Sequence, residues 1–192
     1  MLQEYKIHVE ERKLLGIPPL PLNAEQVAGV VELLKNPPEG EESLLLDLIS
    51  NRTPAGVDTA AYVKAAFLTD LAKGETASPL ISKQEATALL GTMLGGYNVE
   101  SLIDLLKDEE VGSIAAEGLS KTLLMFNAKH DVIELSKINT NAKQVVDSWS
   151  KGEWFTNKPE LPEIIKAIVF RVDGEINTDD LSPAPDAPSR PD

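Results

Sequence analysis

Cysteine is absent from this chain of 192 residues. That absence excludes a disulfide framework, a Cys-ligated zinc, an iron–sulfur cluster ligated by this chain and a Cys nucleophile. Histidine is nearly absent too: His8 and His130 are far apart in sequence. Basic residues are scarce, with 18 Lys and Arg against 31 Asp and Glu, a formal net charge of −13. Phosphate neutralisation needs clustered cations, so the balance argues against duplex-DNA binding and against a polybasic membrane-surface role. An acidic excess fits a soluble protein kept apart by self-repulsion. No run of about 18 apolar residues occurs, so no segment reads as a membrane span. The opening MLQEYKIHVEERKLL is charged throughout and lacks the apolar stretch of a signal peptide. A cytoplasmic location is the expectation. The length is ample to bury a core without a staple.

What is present is helix after helix. Residues 2–15 form a charged amphipathic helix that Gly16 and the stretch from Pro18 to Pro21 end. Asn23 with Gln26 reads as a capping box opening a helix whose apolar face is Val27, Val30, Val31 and Leu34. Residues 41–51 repeat the period through Leu44, Leu45, Leu48 and Ile49. Asp58 caps a helix to Lys73 that is apolar almost all round, which predicts that it is sandwiched between others. Ser82 with Glu85 opens a helix expected to run to Leu94, stopped by Gly95 and Gly96. Asn98 is expected to cap residues 99–106, an apolar helix to cover residues 113–126, and one long helix to cover residues 131–149.

The order recurs. VVELLKN, SLLLDLIS and AAYVKAAFLTDL resemble TALLGTM, VESLIDLL and SIAAEGLSKTLLMF at an offset of about 55 residues. The predicted class is therefore all-α, a HEAT-like α-α superhelix in which each helix pair hides its apolar face on the next. An irregular helical bundle carries the same periodicity and is the alternative.

After Lys158 the character changes. Pro159 and Pro162 interrupt the helical pattern, and residues 164–172 (IIKAIVFRV) read as one β-strand. Four of the 13 prolines fall in the last ten residues. A lone strand needs partners in a sheet, and the chain offers no convincing second one. Residues 1–158 are thus expected to be the helical domain, and residues 159–192 the incomplete start of a second one.

Few constellations promise chemistry. His8 reads as a surface histidine and His130 as a helix-start residue. Gly95 and Gly96 follow a helix, so they read as a C-cap and not as a phosphate cradle. The acid runs Glu39, Glu41, Glu42 and Asp108, Glu109, Glu110 sit at helix starts, where they complement the macrodipole; a hard-cation site needs oxygens converging from a shaped loop. Trp149, Trp154 and Phe155 read as a hydrophobic seal between domains, with a ligand platform as the alternative. The tail is the exception. Asn177 to Pro183 packs amide, hydroxyl and carboxylate groups together, and Ser189 and Arg190 stand between prolines. Arg190 is suited to grip a small carboxylate through its bidentate fork. A disordered acidic linker is the other reading.

A resemblance decides between them. MLQEYKIHVEERKLLGIPPLPL, VELLKNPPEGEE, DLISNRTPAGVDTAAYVKAAFL, LSKTLLMF and above all GEINTDDLSPAPDAPSRPD resemble the N-terminus of the bacterial aconitate hydratase B family, from residue 1 to 192. The resemblance implies a HEAT-like domain followed by the first strand and loop of a swivelling α/β domain. It implies a hydro-lyase of the tricarboxylic acid cycle that interconverts citrate and isocitrate through cis-aconitate, some members also acting on 2-methyl-cis-aconitate. It implies a [4Fe-4S] cluster in the full-length enzyme, held by cysteines beyond this chain, and hence no cofactor and no catalytic residue in this piece, which is expected to be inactive alone. The family's substrate-binding arginine in SRPD maps onto Arg190. Pro188 stands where a larger side chain such as Trp is expected, a departure that touches local packing. The implied partners are a tricarboxylate through the whole enzyme, the remaining domains of its own chain, self-association or other metabolic enzymes, and messenger RNA when the cluster is lost, with no membrane. The alternative function is a free-standing helical-repeat interaction or RNA-regulatory module.

Overall fold

Side-chain capping sets four of the helix starts, at Asn23, Asp58, Ser82 and Asn139. In a computed structural model, residues 1–93, 95–122, 125–158, 160–167 and 174 are described. They form ten α-helices: α1 (Leu2–Leu14), α2 (Ala24–Lys35), α3 (Glu42–Asn51), α4 (Thr59–Lys73), α5 (Lys83–Gly91), α6 (Val99–Leu105), α7 (Gly112–Lys121), α8 (Ala128–Leu135), α9 (Thr140–Lys151) and α10 (Glu153–Thr156). No β-strand appears among the described residues. Both predicted capping boxes are formed, Asn23 with Gln26 and Ser82 with Glu85. Asp58 accepts a hydrogen bond from the Ala60 amide at 2.7 Å and starts α4.

Four predicted elements need correction. The helix after Ser82 ends at Gly91, because the Thr92 and Met93 amides turn back to the Leu89 and Leu90 carbonyls. Asn98 does not cap α6 with its side chain. Instead its amide Nδ2 donates to the Leu90 carbonyl at 2.7 Å, tying α6 to the end of α5. The apolar helix of residues 113–126 stops at Lys121: Thr122 is extended, and Phe126 has φ 45, which no helix accommodates. The long helix of residues 131–149 is two helices. Asn139 is extended and its Oδ1 accepts from the Ala142 amide at 2.8 Å, which starts α9 afresh. Of the predicted strand, residues 164–167 carry none, and residues 168–172 lie outside the described residues.

The helices pack as a line. α2 packs on α4, α4 on α5, α5 on α7 and α7 on α9, with α3, α6 and α8 flanking. Among the described residues, substantial packing joins only helices up to three apart in order. One core runs through all of it, from Tyr5 to Val145. Of the predicted inward faces, Leu44 on α3 is partly buried against the core, and Val27, Val30, Val31 and Leu34 on α2 and Leu45, Leu48 and Ile49 on α3 are buried. Each such side chain contributes on the order of 2 kcal/mol of burial. The spacing of helices also recurs along the chain. α2, α3 and α4 begin at Ala24, Glu42 and Thr59, and α5, α6 and α7 at Lys83, Val99 and Gly112, offsets of 59, 57 and 53 residues.

One close contact is backbone on backbone. A Cβ built on Gly118 of α7 would stand 2.7 Å from the Gly91 Cα of α5, and one on Gly91 would stand 2.9 Å from the Gly118 Cα. Two glycines are what lets these helices cross so closely. The α9 start is fastened to the end of α6 by a different device. The Asn139 and Asn141 amides both donate to the Leu106 carbonyl, at 3.1 and 2.9 Å.

Candidate functional site

The residues singled out in the sequence scatter over the molecule. His8 is half-buried on α1, and its Nε2 accepts from the Leu20 amide at 3.0 Å. It therefore pins the proline-rich connection to α1, a structural task rather than a catalytic one. His130 is exposed on α8. Glu41 pairs with Lys6 across the α1 and α3 ends. Asp108 accepts from the Glu110 and Val111 amides, at 2.8 and 3.0 Å, and stands 3.6 Å from the Lys83 ammonium. Those two backbone amides, with Lys83 adding a smaller share, hold the Asp108 carboxyl below its usual range. Glu85 is lowered in the same way by the Ser82 amide and hydroxyl of its capping box. Asp108 and Glu85 thus accept from backbone amides at helix starts, whereas Glu41 makes an ion pair and no cap, and Glu110 accepts from the Lys83 and Gln84 side chains. Among the described residues, no three His, Asp or Glu side chains converge to hold a metal ion.

The aromatic cluster divides. Trp149 packs against the core and its indole N–H donates to the Leu119 carbonyl at 3.2 Å. Trp154 and Phe155 stay at the surface, edge to face at 5.7 Å, with the Lys158 ammonium 5.4 Å from the Phe155 ring. Arg190, with Asn177 to Ser182, lies outside the described residues.

Two features went unpredicted. The first is Lys64, which the periodicity of α4 places inside. It is 4% exposed, and its Nζ donates to the Ser50 carbonyl at 3.3 Å. Burial pulls its ammonium down to about 8. The second is a groove of about 710 Å³ between α4, the segment entering α6 and the α7–α8 connection. Tyr62 and Tyr97 meet edge to face at 5.2 Å on its wall, and Phe126 stands 84% exposed beside it. Gly96 permits the shape: with φ 82, it approaches the Gly56 carbonyl so closely that a Cβ would stand 2.9 Å away. The sequence signal for the groove was Tyr62 itself, an aromatic placed in a helix expected to be covered on every side.

Comparison with known proteins follows the helical part and the tail separately. Residues 4–155 match the family described as the Aconitate B N-terminal domain, and residues 167–192 match the Aconitate hydratase 2 N-terminus. The chain is 63% identical over 193 residues to Aconitate hydratase B of Pseudomonas aeruginosa, and 62% over 194 residues to that of Synechocystis. To Aconitate hydratase B of Escherichia coli it is 60% identical over 193 residues. Each comparison covers 100% of this chain and 22% of the relative. The chain thus spans about a fifth of the length of the curated relatives it matches.

Proposed function

The chain belongs to the Aconitate B N-terminal domain family, and from that premise we propose that it is the N-terminal part of an aconitate hydratase. The whole enzyme would dehydrate citrate to cis-aconitate and rehydrate it to isocitrate, a hydro-lyase reaction of the tricarboxylic acid cycle, in the cytoplasm. The observation that carries this reading is identity of about 60% maintained over the entire chain. It includes the tail, where NTDDLSPAPDAPSRPD concentrates polar groups.

Residues 1–158 form, in this reading, a HEAT-like solenoid with no part in bond breaking. The linear packing of the helices and the recurrence of three of them in order support it. Residues 159–192 would begin the swivelling domain, with Arg190 holding a substrate carboxylate through its fork. The [4Fe-4S] cluster of such an enzyme needs thiolate ligands, and this chain has no cysteine. The residues present do not fit the cluster, so its ligands would come from the remainder of the full-length enzyme. The helical part would serve contacts and substrate access.

Arg190→Ala in the full-length enzyme tests the proposal. Turnover is expected to fall and KM for the tricarboxylate to rise, by about tenfold or more for a lost charge-assisted pair. Unchanged steady-state kinetics would remove Arg190 from the site. The isolated chain is expected to show no hydration of cis-aconitate.

A further inference from the structure

The groove beside α4 has a composition that points to an occupant. Its wall carries Tyr62, Tyr97 and Phe126, with Val57 beside them. These side chains are exposed, 59% for Tyr62, 51% for Val57 and 84% for Phe126. Phe126 is moreover held at φ 45, a left-handed conformation that a bulky residue adopts only under strain. Its floor is small and smooth, formed by Ala65 and Ala66, with the Thr69 and Ser101 hydroxyls 2.7 Å apart. Asp70 and Glu100 also line it, both exposed, and among the described residues no Lys or Arg does. Among the described residues neither carboxylate has an ion-pair partner: the neighbouring Lys73 is taken by Asp104.

We propose that this groove docks a short segment of a second protein carrying Arg or Lys beside apolar side chains. The chemistry is complementary at each point. Tyrosine and phenylalanine faces attract cations and shelter apolar groups. Two unpaired carboxylates then add charge-assisted hydrogen bonds. An acidic segment would meet the same carboxylates as a repulsion. A volume of about 710 Å³ accommodates a few side chains rather than a domain face. Permanent interfaces between large units are broader and depleted of charge at their centres, whereas a small acidic and aromatic groove suits a transient, salt-sensitive partner. The proposal rests on the reading of the helical part as a contact module.

The test uses the chain itself and a fluorescein-labelled dodecapeptide alternating Arg and Leu, followed by anisotropy. The same peptide with Glu in place of Arg is the comparison. The Arg peptide binds and the Glu peptide does not. Asp70→Asn with Glu100→Gln weakens binding by about tenfold, and added salt weakens it more steeply in the parent than in this variant. Phe126→Ser weakens binding while leaving the melting temperature in place, since that ring is already in solvent. Glu10→Gln with Glu11→Gln, on exposed positions of α1, leaves affinity unchanged. Equal binding of both peptides, equal loss from the α1 variant, or no effect of Phe126→Ser would overturn the docking site. Binding by the isolated chain but not by the full-length enzyme would overturn the second-protein occupant, the groove then being covered by the enzyme's own chain. None of these outcomes bears on the Arg190 kinetics, so the two readings fail separately.

Discussion

The two successions of three helices, α2 to α4 and α5 to α7, share an order but not a packing device. In the first, the inward faces meet through branched and aromatic side chains, Val27, Val30 and Leu34 on α2 and Phe67, Leu68 and Leu71 on α4. This layer also buries a lysine. In the second, α5 and α7 touch through the backbones of Gly91 and Gly118. Side-chain packing adjusts by changing rotamers, but a backbone contact does not. The same fold plan therefore contains a tolerant layer and an intolerant one.

The sharpest way to break this comparison is Gly118→Val. Its branched side chain would have to displace the α5 backbone, and a loss of about 3 kcal/mol or more is expected by urea unfolding. A loss under about 1 kcal/mol would show that the α5–α7 crossing yields easily. Next is Lys64→Met in the first layer, expected to stabilise by about 1–3 kcal/mol because a buried cation is removed. The pH dependence has a definite sign. The folded-state value of about 8 lies below the ordinary 10.5, so the folded protein releases this proton first. The cost of burying the charge is full below pH 8 and is relieved as pH rises from about 8 towards 10.5. Unfolding free energies at pH 7 and 9.5 are therefore expected to converge between the parent and Lys64→Met at the higher pH. A constant gap would mean that Lys64 keeps its proton throughout.

Smaller still is the contrast between two asparagine caps. Asn139 caps α9 and also donates to Leu106, whereas Asn23 only caps α2. Asn139→Ala is expected to cost about 1–2 kcal/mol and Asn23→Ala about 1 kcal/mol. Equal losses would leave the tether to Leu106 without weight. The smallest effect is expected from Gly29→Ala on α2, where the added Cβ meets only the flexible Met1 side chain at 3.3 Å. The gain in helix propensity, about 0.5–1 kcal/mol, opposes that contact, and a melting temperature close to the parent's is expected.

Much of the helical order was legible because its signals are local. Asn23 with Gln26, Ser82 with Glu85, and Asp58 each satisfy amides within three residues, so their identity suffices to place a helix start. Two of the errors fell where a polar side chain had a distant choice. Asn98 reads as a cap but bonds Leu90, and Asn139 sits inside an apparently continuous periodicity yet starts a new helix and also bonds the Leu106 carbonyl. The candidate site was less legible. Tyr62, Tyr97 and Phe126 come from three separate segments, and nothing in their spacing brings them together. Arg190, singled out by its proline-bounded setting and then by a resemblance, lies outside the described residues.

The sequence by itself determined the helical character of the described residues, the sites of three helix caps, most of the inward faces of α2 and α3, and the family. These depend on hydrogen bonds within a turn, on a period of 3.6 residues, or on identity along the chain. Only the tertiary structure decided that Lys64 is buried, that Gly91 lies on Gly118, and that an acidic aromatic groove opens beside α4. Each of these depends on which helix becomes the neighbour of which. That choice is made by packing between segments tens of residues apart, and no local pattern records it.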